Sequence, residues 1–256
     1  MFPVLAAKGV IASQEAGLMV EATLLMLIVA VPVLGLLFFF AWRYRAGGKA
    51  RYEPEWEHSK MDELIWWAIP LEVILVIGAL IWGSSRTLDP YRPIDSSVQP
   101  LTVQVVALNW KWLFIYPAQG IATVNYLAVP EKTPVAFLLT ADAPMNAFWI
   151  PQLGGQEMAM PGMVTQLHLM ASGTGTYLGL SSNFSGEGFA GMQFPVRSMT
   201  QADFSAWVAQ TKTSTSTLSF AAYQTLAKPG KNMPAMFYAV GDTNLYTEIV
   251  GQYMAH

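Results

Sequence analysis

The sequence predicts a mixed membrane protein: an N-terminal two-helix transmembrane hairpin, an all-β sandwich after it, and a C-terminal helical extension. Three observations predict this class. Two apolar runs, residues 18–42 and 64–82, are each of the length that a bilayer core demands, about 20 residues. From 101 to 197 short apolar or alternating runs are separated by turn residues, the pattern of a sandwich or barrel. Beyond Thr200 the apolar spacing becomes helical.

Composition agrees with a membrane protein. Charged residues make up 12% and hydrophobic ones 53%, where an ordinary soluble domain carries about 25% charge. The net charge of −3 offers no electrostatic footprint for nucleic acid. There is no cysteine, which excludes disulfides, iron–sulfur clusters and thiolate metal sites.

The N-terminal arm, residues 1–17, carries one cation, Lys8, and lacks the basic–apolar–small order of a signal peptide. The first span, 18–42, has a single charge, Glu21, near one end, and the second, 64–82, has Trp66, Trp67 and Trp82 at its ends like an interfacial aromatic belt. The loop 43–63 holds Arg43, Arg45, Lys49, Arg51 and Lys60, against Lys8 on one side and Arg86 and Arg92 on the other. The positive-inside rule therefore predicts a cytoplasmic loop, with both termini and everything past about residue 84 outside. Pro32 and Pro70 are expected as kinks tolerated within the bilayer.

A proline-bearing linker, 83–98, leads into the β domain at 99–199. Strands are expected at 101–108, 110–116, 121–129, 135–140, 164–170, 176–180 and 192–197. In the extension, 200–256, Thr200 and Asp203 form a capping-box-like start. A second helix is expected at 218–227, ending at Lys228-Pro-Gly, and a third at 245–255, capped by Asp242 or Asn244.

Candidate chemistry is sparse. The loop 181–195, SSNFSGEGFAGMQFP, has glycines at 186, 188 and 191, which suit close backbone approach, but no nucleophile and no strong metal ligand. His58, His168 and His256 show no two-histidine spacing. Met158, Met160, Met163 and Met192 are soft donors for Cu(I), although methionine more often fills irregular packing. Among ionisable residues near the second span, Asp62 and Glu63 stand at its start and Glu72 lies nine residues on, about 13 Å deeper. A carboxylate at that depth is a functional-site candidate by default, or else is protonated and hydrogen-bonded to a partner.

Four stretches carry a family resemblance: EWEHSKMDELIWWAIP at 55–70, NWKWLFIYP at 109–117, NAFWIPQLGGQEMAMPGM at 146–163 and FSGEGFAGMQFP at 184–195. Together with the two spans they resemble subunit II of the haem-copper respiratory oxidases, specifically the cytochrome bo-type ubiquinol oxidase branch, from about Lys8 to the terminal YMAH. The resemblance implies a cupredoxin-like fold for 99–199. In the cytochrome c oxidase branch that domain holds a binuclear copper centre, built from bridging thiolates, imidazoles, a thioether and a carbonyl. The family pattern puts Asn146 and Met192 at the two histidine positions and Phe184 and Gly188 at the two cysteines. It puts Gly186 at the carbonyl-donating glutamate and Pro195 at the methionine. These are vestigial copper-site positions, and no metal is expected in this chain.

Trp110 matches the tryptophan of the electron-entry route in the copper branch; without copper, Trp110, Trp112, Phe114 and Tyr116 read as packing, and Lys111 as a partner for an acid at a subunit interface. Glu63 matches the glutamate at the mouth of the K-type proton channel, with Asp62 and Glu72 as secondary candidates. The resemblance further implies a non-catalytic subunit of a proton-pumping oxidase in a bacterial cytoplasmic membrane. Haems and the dioxygen-site copper would sit in subunit I, subunits III and IV would be further partners, and ubiquinol would be the complex's substrate. Two other readings are a copper-dependent cytochrome c oxidase subunit II, disfavoured by the missing ligands, and a membrane-anchored cupredoxin-like binding or assembly protein outside any oxidase.

Overall fold

The computed structural model describes residues 4–48, 59–214 and 216–254. Lys49, Arg51, His58 and His256 lie outside the described residues, as does the stretch 49–58 of the loop read as cytoplasmic. The chain divides into two compact units, Met1–Ala16 with Asp89–His256, and Gly17–Leu88.

The smaller unit consists of two helices, α1 (Val10–Arg43, its first turns belonging to the other unit) and α2 (Lys60–Thr87). Their most apolar stretches reach mean hydropathies of 2.9 and 2.4 with no residue buried. Bare leucines and tryptophans on this scale are what a bilayer covers, and each helix exceeds the length one demands. Pro32 and Pro70 lie inside them. Ser59 caps α2 by accepting from the Asp62 amide, which offsets one of the four orphan donors of a helix start.

α1 begins well before the apolar run at 18. The residues before it are held by the larger unit: Val10 N–H donates to Met170 O (3.2 Å) and Ala12 N–H to Leu153 O (3.1 Å). Gly9 bridges Ala171. The helix start is thus stitched to the sandwich by backbone hydrogen bonds, which needs no side-chain signature in the sequence.

The larger unit is a two-sheet sandwich. One sheet has seven strands in the order β11-β12-β3-β2-β1-β5-β8, and the other five in the order β4-β10-β9-β6-β7. The first sheet comprises β1 (Leu101–Leu108), β2 (Lys111–Tyr116), β3 (Ile121–Val124), β5 (Val135–Ala141), β8 (Thr165–Leu169), β11 (Thr217–Leu218) and β12 (Met236–Val240). The second comprises β4 (Leu127–Pro130), β6 (Asn146–Trp149), β7 (Gln156–Ala159), β9 (Gly175–Ser181) and β10 (Gln193–Met199). Three helices complete it: α3 (Gln201–Lys212), α4 (Phe220–Ala227) and α5 (Leu245–Gly251).

The expected single strand over 121–129 is two strands in different sheets. The break is at Asn125, which takes a left-handed φ of 51°, a conformation that asparagine tolerates better than most residues. Its side chain holds the corner, with Oδ1 accepting from Trp112 N–H (2.9 Å) and Nδ2 donating to Met233 O (2.8 Å). Across the corner Tyr116 Oη both donates to Ala128 O and accepts from Ala128 N–H, each at 3.0 Å.

Side-chain alternation in β2 explains why every residue of that strand is buried. Trp112, Phe114 and Tyr116 point into the sandwich core with Phe137, Phe148 and Phe194. Leu113 and Ile115 point to the opposite face, where Leu218, Tyr223, Ile249 and Val250 cover them. The C-terminal segment is therefore a third layer over the larger sheet. It contributes two strands, β11 and β12, besides its helices, because Met236–Val240 extends the sheet at the edge of β3. Each buried aliphatic or aromatic side chain in these layers contributes about 1.5–3 kcal/mol.

Candidate functional site

The loop after β9 is the first candidate. Asn146 opens β6 and is buried, 1% exposed. Its Nδ2 donates to Pro144 O (2.7 Å), and its Oδ1 accepts from Ser181 Oγ (3.0 Å) at the end of β9. Met192 is also buried, and its sulfur accepts from Ser185 Oγ (3.8 Å). Asn146 and Met192 thus flank one cluster with Ser181, whose N–H donates to Met192 O (3.1 Å). The other positions diverge. Phe184 is 75% exposed and meets Phe189 edge-on at 5.6 Å. Pro195 is exposed on β10, opposite Leu178. Gly186 has a left-handed φ of 108°, which favours glycine.

Gly188 is where the loop meets Trp110. A Cβ there would lie 2.7 Å from the Trp110 Cβ and closer still to the indole Cγ and Cδ2. The indole occupies the volume of a side chain at 188, and Trp110 Nε1–H donates to Ser185 O (3.1 Å). Trp110 reaches this pose from a φ of 67°, immediately before β2. Over the indole lies Lys231 Nζ, 5.5 Å from the ring centroid, and Lys231 pairs with Glu187 at 2.5 Å. That pair holds the Glu187 carboxyl below the ordinary glutamate value, chiefly through the hydrogen bond from Lys231. Asn232 packs against Gly191 from the same segment.

Chemically, the six positions supply one carboxamide already engaged in two hydrogen bonds and one thioether. Copper of the binuclear type needs thiolate and imidazole donors, so this donor set does not fit it. Of the four methionines weighed as soft ligands, Met192 is buried, Met158 and Met160 half-buried and Met163 exposed. Among the described residues there is no group of three or more histidine, cysteine, aspartate or glutamate side chains arranged to hold a metal.

Lys111 departs from the expectation of an acid at a subunit surface. Its position on β2 puts it on the face of Leu113 and Ile115, under the C-terminal layer, where it is 1% exposed. Nζ donates to Lys228 O (2.6 Å). Burial pushes its pKa below the ordinary lysine value. A second anchor of the same layer is Asp142, whose carboxylate accepts from Tyr223 Oη and from Tyr253 Oη (2.5 Å). Neither Lys231, Asn232 nor Asp142 carries a local sequence signal; each acts across more than forty positions, and only covariation in related chains could expose such pairs.

The acids of α2 form the second candidate. Asp62 and Glu63 lie in its first turn, where the helix dipole favours a negative charge. Glu63 N–H donates to Ser59 O (3.0 Å), so backbone order fixes its Cα while the side chain is exposed. Glu72 is exposed midway along the helix. Nine residues are about two and a half turns, so Glu63 and Glu72 leave the helix on opposite faces.

The periplasmic-domain model of cytochrome c oxidase subunit II matches residues 117–199, and the COX aromatic-rich motif matches 212–256. The cytochrome bo(3) ubiquinol oxidase subunit 2 of Pseudomonas aeruginosa is 46% identical over 97% of this chain and 76% of its own length. The chain belongs to the ubiquinol oxidase subunit 2 family. The Pseudomonas putida protein of the same name is 48% identical over 96% of the chain and 79% of its own length. The ubiquinol oxidase subunit 2 of Acetobacter aceti is 43% identical over 98% and 82%.

Within this subunit 2 the two family segments have distinct physical tasks. The periplasmic-domain segment supplies β3 to β10 of the cupredoxin-like sandwich and the donor-poor loop. The aromatic-rich segment supplies the third layer, in which Lys228, Lys231 and Asn232 meet Lys111, Trp110 and the loop, and Tyr223 and Tyr253 meet Asp142.

Proposed function

We propose that this chain is the non-catalytic second subunit of a proton-pumping terminal oxidase that takes electrons from ubiquinol and passes them to dioxygen. The observation that carries the reading is the loop itself: in a member of the ubiquinol oxidase subunit 2 family, the indole of Trp110 fills the space at Gly188 and no thiolate or imidazole remains. A lipid-soluble quinol delivers electrons from within the bilayer, so no outside copper relay is required. Haems, the dioxygen-site copper and the quinol site belong, on this reading, to subunit I, with subunits III and IV as further partners. The chain sits in the bacterial cytoplasmic membrane as a two-span protein. Its basic loop faces the cytoplasm, which the excess of Arg and Lys in 43–63 supports. Its physical work is to anchor and cap subunit I.

Glu63 contributes to proton entry. An exposed carboxylate in the first turn of α2 collects protons from the cytoplasmic side and passes them to water or a nearby basic group in the partner. Asp62 adds local negative charge; Glu72, on the other face, serves contact with a partner subunit.

Purification of the complex in mild detergent, with a haem spectrum and quinol-oxidase turnover, tests the assignment. Co-purifying haem and turnover with ubiquinol are expected; recovery of the chain without haem overturns it. Glu63→Ala is expected to slow quinol oxidation with haem content and assembly unchanged, and undiminished turnover removes Glu63 from the proton path.

A further inference from the structure

The end of α1 has a shape that the oxidase assignment does not use. The last helical turn closes with Tyr44 N–H donating to Phe40 O (2.9 Å). Gly47, at a φ of 81°, then turns the chain back so that Gly48 N–H donates to Arg45 O (2.8 Å). The turn leaves a hollow of about 360 Å³ lined by Phe39, Trp42, Arg43, Arg45 and Gly48. Arg45 lies over the Trp42 ring, its guanidinium carbon 5.5 Å from the centroid. Among the described residues no carboxylate pairs with Arg43 or Arg45.

A cation in the last turn of a helix is accounted for by the helix dipole, and that covers Arg43. It does not cover Arg45, which lies past the helix end and stacks on an aromatic ring, nor a hollow lined by both arginines together with Phe39 and Trp42. The carbonyls of Arg43 and Arg45 lie 3.0 and 2.9 Å from where a Gly48 Cβ would be, so the turn that closes the hollow needs glycine at 48. One turn back on the same face, Gly35 leaves a notch beside exposed Leu36.

We propose that this hollow binds the phosphate of an anionic phospholipid. The guanidinium forks of Arg43 and Arg45 take the phosphate oxygens, a geometry that arginine matches bidentately. Trp42 and Phe39 carry the glycerol region, and an acyl chain lies along the notch at Gly35. The inference rests on α1 crossing the membrane and not on the identity of the electron donor.

The full-length chain, reconstituted into vesicles of equimolar phosphatidylglycerol and phosphatidylcholine and re-extracted in mild detergent, gives the test. Retained lipid is quantified per chain. Wild type is expected to retain phosphatidylglycerol in preference to phosphatidylcholine. In Arg43→Gln/Arg45→Gln the preference is expected to fall about fivefold per charge removed, the usual contribution of one basic residue at an anionic surface. Equal retention of the two lipids by wild type, or the same preference in the double variant, overturns the proposal. A wash with inorganic phosphate is compared with chloride of the same ionic strength; preferential displacement by phosphate identifies a free-anion site and overturns the lipid assignment. A wild-type measurement independent of the variant is the salt dependence: retention should fall between about 0.1 and 1 M salt as screening shortens from about 10 to 3 Å, and retention indifferent to salt overturns it. A chain that incorporates into neither lipid overturns the spanning reading itself, whereas an incorporated chain without preference overturns only the site.

Discussion

Replacing Gly188 by alanine adds one methyl group where the Trp110 indole already sits. The backbone at 188 (φ −89°, ψ 1°) accepts any residue, so the substitution brings no backbone strain. On that ground alone alanine would stabilise by about 0.4–1 kcal/mol, through the unfolded chain. Against this stands the overlap with the indole, and overpacking a filled site costs about 1–3 kcal/mol. Trp110 cannot simply slide away: its Nε1–H is held by Ser185 O at 3.1 Å, and Lys231 lies over the ring. The net expectation is a loss of about 1–2 kcal/mol. For a unit of this size that lowers Tm by about 2–8 °C, at about 2–4 °C per kcal/mol. Trp110→Ala alone removes a half-buried indole and costs about 2 kcal/mol, below the range for fully buried aromatics. The double variant has no clash left, so it should cost no more than Trp110→Ala, a coupling of about 1–2 kcal/mol between neighbours in contact. Thermal unfolding of the full chain in detergent, followed by near-ultraviolet circular dichroism, reads all three. A Gly188→Ala protein with unchanged or raised Tm, or strictly additive losses, refutes the claim that the indole fills the copper-loop position.

Three further outcomes follow from the same packing. Gly9→Ala would bring a Cβ to 2.7 Å from Leu153 Cα and 2.9 Å from its carbonyl carbon. These are backbone atoms that cannot rotate away, so a loss of about 1–3 kcal/mol is expected, together with faster amide exchange at Val10 and Ala12. Tyr116→Phe leaves the buried Ala128 N–H and carbonyl without their shared hydroxyl, at a cost of about 1–3 kcal/mol in denaturant unfolding. The Tyr253 phenol is pushed up to about 12, first by desolvation and then by its hydrogen bond to the Asp142 carboxylate. Because the folded value lies above the ordinary 10, its stabilisation is fully present below pH 10 and lost as pH rises through about 12. Tyr223 shifts the same way. Asp142→Asn should move the tyrosinate absorbance change of Tyr253 back toward pH 10, and an unmoved titration removes the carboxylate as a cause.

Much of the fold was legible along the chain because its signals are local. The strand at 101–108 and the helix start at Thr200, where the side chain accepts from Asp203 N–H, coincide with what alternation and capping chemistry predict. Alternation does not predict β6 and β7, because NAFW and QEMA are only four residues each and their pairing, with each other and of β6 with β9, is made across intervening loops. The sheet corner inside the apolar run 121–129 has a single local signal, Asn125 itself, a residue type that tolerates a left-handed φ.

For the candidate site the division is sharper. Residue identity at 146, 184, 186, 188, 192 and 195 already determines which donors a metal could meet, because ligand chemistry belongs to the side chains themselves. Length and apolarity likewise determine two helices able to cross a membrane, as every backbone bond of a helix is made within its own segment. Tertiary structure alone decided what replaced the ligands: an indole from position 110 over Gly188, held by Lys231 and Glu187, and a lysine at 111 buried beneath residues 228–230. Those partners meet only after two sheets and a C-terminal layer have closed, and packing between distant segments leaves no periodicity for a single sequence to reveal.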